Sequence, residues 1–249
     1  MELEGFPEKL MRYLDHIEYR RIESSEDMAA IEQLRYKAYK AANVLPVAAP
    51  SMIDDADFDD HAYVFGVYYF EELVSTIRLH HVTPLQRLSQ SAGVFPEIME
   101  AYLDAGLTLI DPARFAVDPD VAAELPVLPY LTLRPSIVAA AYFKAKLVLQ
   151  HVRPSHAAFY KRVFYAETVV ERRMTEIYGL ELTLMATNTH TTGDKLLRRY
   201  PFFDSGVHER RLMFGRGVRR EMPAPLTILP SARLVATGKI SGAVAGLDY

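Results

Sequence analysis

Asp111-Pro112-Ala113-Arg114-Phe115-Ala116-Val117-Asp118-Pro119 is the stretch on which the fold turns. An Asp-Pro pair stands at each end, and Arg114–Val117 between them is short and mostly apolar. Proline cannot donate to a sheet ladder, so the two pairs read as boundaries and Arg114–Val117 as a strand. Upstream, Tyr, Val and Phe fill His61–Phe70 and Leu73–Leu79 follows Glu71-Glu72, which predicts a hairpin. Downstream, Ala145–Val152 has the pattern of a buried strand and Leu180–Ala186 alternates as a last one.

Further out the pattern turns helical. After a first strand at Ile17–Ile22, Ser24 and Ser25 are caps for a helix over 26–42, with Met28, Ile31, Leu34, Ala38 and Tyr39 at helical spacing. Pro46 and Pro50 break the chain next, and an acidic loop follows with Asp54, Asp55, Asp57, Asp59 and Asp60. Phe95–Leu103 reads as a helix stopped near Gly106. Asp118–Pro135 holds four prolines and reads as a structured loop. Helices are expected at Ser136–Phe143 and from Pro154 to about Val163. The order β-α-β-β-α-β-α-β-α-β predicts a mixed α+β or α/β sheet flanked by helices. Residues 1–190 are expected to form that domain and 191–249 a basic C-terminal extension. The extension carries Arg198, Arg199, Arg210, Arg211, Arg216, Arg219 and Arg220, and Ala236–Ala245, rich in Gly, Ala and Ser, is expected to be mobile.

The 249 residues are half apolar and 24% charged, ordinary for a globular protein. No cysteine is present, which excludes disulfides and thiolate chemistry. No run approaches the roughly 20 apolar residues of a membrane span, and the acidic start lacks the order of a signal peptide, so a cytoplasmic protein is expected. A net charge of −4 argues against nucleic acid as a partner. The charge is unevenly spread: residues 1–120 hold 22 acidic and 10 basic side chains, residues 121–249 hold 10 and 18. A basic second half suits an acidic or phosphorylated partner, or is simply a soluble surface.

Five pieces in order carry a resemblance: Arg35-Tyr36 in the first helix; the acidic loop Asp54–Asp60; Ser75-Thr76-Ile77-Arg78-Leu79 with Phe95-Pro96; Asp111–Val117; and Val152–Tyr160. Over roughly residues 19–187 the chain resembles the N-acyl amino acid synthases and acyl-homoserine-lactone (autoinducer) synthases, a branch of the GNAT acyltransferases. Asp111 stands where that family usually has Glu. In the crowded loop Asp59 matches the second family Asp, and the first falls near Asp55 or Asp57.

The resemblance implies a GNAT-like fold and N-acyl transfer to the amine of an amino acid or similar small acceptor. It implies Asp111 as proton relay, with Arg114 and, on the helix, Tyr160 as donor to the leaving thiolate. Arg35, Asp55, Asp57, Asp59, Arg78, Phe115 and Val117 would bind substrate. Read without the resemblance, the acidic loop is a solvated loop or a weak cation site, Arg78 a structural ion pair, Asp111 a turn former, and Tyr160 and His156 packing or capping residues. No His pair has the spacing of a metal motif, so no metal site is expected. Asp118–Leu133 contains no glycine, so the phosphate-cradling loop of CoA-dependent relatives is not expected. That favours acyl carrier protein over acyl-CoA as donor, with no tightly bound cofactor and with Arg134, Arg153, Lys161, Arg162, Arg172 and Arg173 as candidate docking residues. The rivals are an acyl-homoserine-lactone synthase using S-adenosylmethionine, a CoA-dependent enzyme, and a silent GNAT-fold binding module.

Overall fold

The computed structural model describes residues 5–45, 51–175, 179–215 and 227–240. Pro46, Pro50, Arg216, Arg219, Arg220 and residues 241–245, singled out above, lie outside them.

In chain order the elements are α1 (Phe6–Tyr13), β1 (Ile17–Arg21), α2 (Ser25–Ala41), β2 (Ala62–Tyr69), β3 (Glu72–Val82), α3 (Gln90–Val94), α4 (Pro96–Asp104), β4 (Leu109–Val117), α5 (Pro119–Ala122), α6 (Leu128–Phe143), β5 (Leu147–Val152), α7 (Ala157–Phe164), β6 (Glu167–Thr175), β7 (Leu180–Asn188), α8 (Thr189–Arg199), α9 (Val207–Phe214), β8 (Thr227–Ile228) and α10 (Ala232–Ala236). The strands form one eight-stranded sheet in the order β6-β7-β5-β4-β3-β2-β1-β8. Every neighbouring pair is antiparallel except β4 and β5, which are parallel. This is the mixed sheet flanked by helices that the sequence predicts.

Ser24 caps α2 as expected, its hydroxyl accepting from the Asp27 N–H at 3.0 Å. The hairpin turn falls one residue earlier than predicted: Phe70 and Glu71 adopt left-handed φ of 48° and 68°, the twist that two-residue hairpins prefer. Side chains alternate across the sheet. Tyr63, Phe65 and Val67 join the large core with α6 and α9, while Val64 on the other face packs with Met28 and Ile31 of α2.

Three expectations are corrected. β4 is nine residues long and runs through Asp111-Pro112 instead of starting after it. Pro112 is tolerated because β4 pairs with β5 only at Leu109 and Ile110, so at Pro112 the β5 side is already open. Asp118–Pro135 is not one loop but holds α5 and the first half of α6, joined by a short turn, with Pro135 inside the helix. Glu167–Thr175, which carries no strong strand pattern, is the edge strand β6. Among the described residues no helix is long and apolar enough to cross a membrane.

Candidate active site in the cleft between β4 and β5

Two parallel strands that pair at two positions and then diverge leave a wedge in the middle of the sheet. A cavity of about 750 Å³ fills that wedge. Its walls are β4 from Pro112 to Val117, β5 from Leu149 to Val152, Tyr130 and Leu133 of α6, Phe159 and Tyr160 of α7, and Ala38 and Tyr39 of α2. The lining is mostly apolar, with Arg114, His151, Gln90 and Arg153 among its polar members. Such a cleft, apolar with a few convergent polar groups, is the usual form of a small-molecule site.

The β4 wall is shaped by a bulge. Thr76 pairs with Ala116 and Arg78 with Ala113, so β4 has one residue more than β3 between these points. Arg114 takes up the excess with a left-handed φ of 52°, a conformation a non-glycine residue adopts only when its surroundings hold it there. Its guanidinium reaches Asp54.

Behind this wall the charges alternate. Arg35, fully buried on α2, makes a two-pronged contact with Asp57 at 2.9 Å on each prong and also donates to the Met52 carbonyl. Arg78 lies 3.2 Å from Asp57 and 2.5 Å from Asp54. Burial pushes the Asp54 carboxyl up, but Arg78 and Arg114 outweigh it and hold it down at about 2. The structure thus brings Arg35, Asp57, Arg78 and Arg114 into one network. Its centre is Asp54, which the sequence offered only as part of the loop.

The other predicted loop residues part ways. Asp55 is exposed. Asp59 turns to His80, 3.1 Å away. Phe115 and Val117 line the cavity. Tyr160 also lines it, stacked on Phe164, and burial raises its phenol above the ordinary value.

Asp111 is fully buried. Its Oδ2 accepts from the Ser91 N–H at 2.8 Å and its Oδ1 from the Ser91 hydroxyl at 2.7 Å. On the cavity side of this pair stands His151, whose Nδ1 is 3.0 Å from Ser91 Oγ and 3.4 Å from Asp111 Oδ1. Burial pushes Asp111 up, but hydrogen bonding and charge from His151, with Ser89 and Ser91, bring its carboxyl down to about 2. The Ser91 hydroxyl proton points at Asp111, so Ser91 Oγ is an acceptor toward His151 and Nδ1 carries the ring proton. In neutral His151, Nε2 is then the unprotonated nitrogen. Sequence reasoning missed this role: His151 stands one residue before the Val152–Tyr160 piece, and its partner Ser91 is sixty residues away on an unpredicted helix.

A mixed sheet splayed at its two parallel strands, holding an apolar cleft with charged groups at one wall, is the GNAT-like acyltransferase fold. The sequence profile of the N-acyl amino acid synthase FeeM matches residues 30–188, and the chain belongs to that family. The solved structure of FeeM, an N-acyl amino acid synthase from uncultured soil microbes, superposes with a TM-score of 0.62 at 14% identity, over 74% of this chain and 98% of that one. A CoA-dependent acyl-homoserine lactone synthase, BjaI, gives 0.50 at 15% identity, over 74% and 89%. An acyl-CoA N-acyltransferase from Pseudomonas aeruginosa gives 0.49 at 13%, over 68% and 98%. A comparison with curated proteins finds no match.

Proposed function

We propose that the chain transfers a fatty acyl group from the thioester of an acyl carrier protein to the amine of an amino acid or similar small acceptor. The observation that carries this reading is the apolar cleft between β4 and β5 with His151, backed by Ser91 and Asp111, in its wall.

The attacking amine must lose a proton. His151 Nε2 is the base, and Asp111 holds the ring through Ser91 and stabilises the imidazolium that forms. Asp111 thus acts as a positioning residue behind His151. The amine attacks the thioester carbonyl, the tetrahedral intermediate collapses, and the C–S bond breaks. The leaving thiolate takes a proton from Tyr160. Arg114, in the cavity wall and fixed by Asp54 at the bulge, binds the carboxylate of an amino-acid acceptor. The acyl chain lies along Leu149, Leu182 and Phe159.

Two features support a carrier protein as donor. Residues 118–133 contain no glycine and fold largely as helix, without the glycine-rich loop of backbone N–H groups that would cradle a pyrophosphate. Arg153 stands in the cavity wall, with Lys161 and Arg162 exposed on α7 beyond it, a basic surface for an acidic partner.

Mass spectrometry of lipid extracts from bacteria expressing the chain tests the reading. A new N-acylated amine is expected with the wild type and not with His151→Gln, and its mass names acceptor and acyl length. Loss of the reading would follow from a folded wild-type chain that yields no new species when incubated with acyl carrier protein, acyl-CoA and an amino-acid mixture.

A further inference from the structure

The acidic loop and the hairpin gather a second cluster that acyl transfer does not use. Asp59, His61 and His80 each place one possible ligand atom within 4.8 Å of the other two. They meet because the hairpin register sets Ala62 opposite His80, and the His81 N–H donates to the His61 carbonyl at 3.0 Å. Asp59 closes the acidic loop just before them. His61 is 8% and His80 0% exposed, so the cluster lies in a protected place where charge and hydrogen bonds must balance.

They do not balance among these three. His61 Nε2 lies 2.8 Å from the Leu88 carbonyl, which can only accept, so Nε2 carries the proton and Nδ1 is left as a bare lone pair. His80 Nε2 lies 3.1 Å from Asp59 Oδ2, again an acceptor, and His80 Nδ1 is buried without a hydrogen-bond partner. The three groups therefore turn only one proton toward one another, the one His80 Nε2 shares with Asp59, while His61 directs its own at Leu88. The Leu88 carbonyl on the far side of His61 is the kind of outer partner that fixes the tautomer of a metal-binding histidine. Asp111 faces His80 across the β3–β4 pairing, adding negative charge, while Arg78 two residues away is paired with Asp54 and Asp57.

We propose that Asp59, His61 and His80 bind a divalent zinc-like cation that fastens the acidic loop to the hairpin. Two nitrogen donors and one carboxylate suit zinc, whereas calcium and magnesium prefer oxygen alone. Ligand atoms around a tetrahedral ion with bonds of about 2.0 Å lie roughly 3.3 Å apart. Asp59 Oδ2 and His80 Nε2, 3.1 Å apart, already have about that spacing. The ion takes the place of the proton on His80 Nε2, which shifts to Nδ1 of the same ring, and its fourth position is open to water. Fastening the loop here also steadies Asp54 and Asp57 against Arg78 and Arg35. The proposal is independent of the donor and acceptor of acyl transfer.

Calorimetric titration of the full, EDTA-dialysed chain with Zn²⁺ tests it, with Co²⁺ as an optical probe. One saturable Zn²⁺ per chain is expected, raising the melting temperature, together with visible Co²⁺ absorption of a low-coordinate site. Asp59→Asn keeps an oxygen to accept from His80, so it should melt like the wild type in EDTA. It should bind Zn²⁺ at least about tenfold more weakly, the effect that even an outer partner of a zinc ligand has. His61→Ala should do the same. No saturable Zn²⁺ binding by the folded wild type would overturn the proposal, as would equal affinity in both variants, which would assign the ion to surface histidines.

Discussion

His151 is the residue on which the chemistry turns, and its role follows from two hydrogen bonds rather than from its position in the chain. With the Ser91 hydroxyl committed to Asp111, the ring has one tautomer available, and its basic nitrogen is the one not held by Ser91. His151→Gln should therefore lower kcat by about 10²–10⁴, the usual contribution of a general base, while the chain melts as the wild type. Asp111→Asn should lower kcat as well, since an amide cannot accept from Ser91 through both atoms. If His151→Gln kept more than about a tenth of the wild-type kcat, the base would have to be sought elsewhere. The sequence showed Arg35, Asp57, Arg78 and Arg114 as candidates because they fall in order in recognisable pieces. It could not show that Asp54 would bind two of the arginines, because in a loop with five Asp in seven positions only the fold decides which carboxylate turns inward.

At the scale of elements, what was legible was whatever had a period. The hairpin and α2 alternate or repeat cleanly, and both lie within a few residues of where the pattern put them. β6 was hidden because it is an edge strand. Its Glu167, Glu171 and Arg172 face water, as charged residues on edge strands often do to prevent pairing with other chains, and that erases the alternation. α6 was hidden by its prolines. Pro129 is harmless in the first turn, but Pro135 removes the N–H that would bond to the Leu131 carbonyl four residues back. The structure repairs this from afar: the Tyr19 hydroxyl, on β1, donates to the Leu131 carbonyl at 2.7 Å. A buried carbonyl that loses its donor costs about 1–3 kcal/mol. Tyr19→Phe should therefore destabilise the chain by that amount in urea unfolding. In a Pro135→Ala background, where the helix satisfies its own carbonyl, the same change should cost clearly less. Equal costs in both backgrounds would show that Tyr19 contributes by packing alone.

At the scale of the molecule, the residues after β7 matter to a cleft they do not line. Phe202, Phe203, Met213 and Phe214 are buried in the large core, and β8 extends the sheet beside β1. Short elements carrying isolated aromatics have no period, which is why the sequence pattern fades there. The link to the site is ionic. Arg134 of α6 is fully buried, pairs with Glu209 of α9 and donates to the Phe202 and Asp204 carbonyls. Glu209 in turn accepts from the N–H and hydroxyl of Ser231. One carboxylate thus joins α9, the start of α10 and α6, and α6 contributes Tyr130 and Leu133 to the cavity wall. Removing it leaves a buried guanidinium without its counter-charge, a loss of about 3–5 kcal/mol. Against a total stability of about 5–15 kcal/mol that is a large fraction. Glu209→Ala should shift the urea midpoint of the whole chain in one cooperative step, read alike by circular dichroism and tyrosine fluorescence. A change under about 1 kcal/mol, or a two-step curve in which the sheet outlasts α9, would mean instead that the C-terminal elements rest on the core without holding α6 in place.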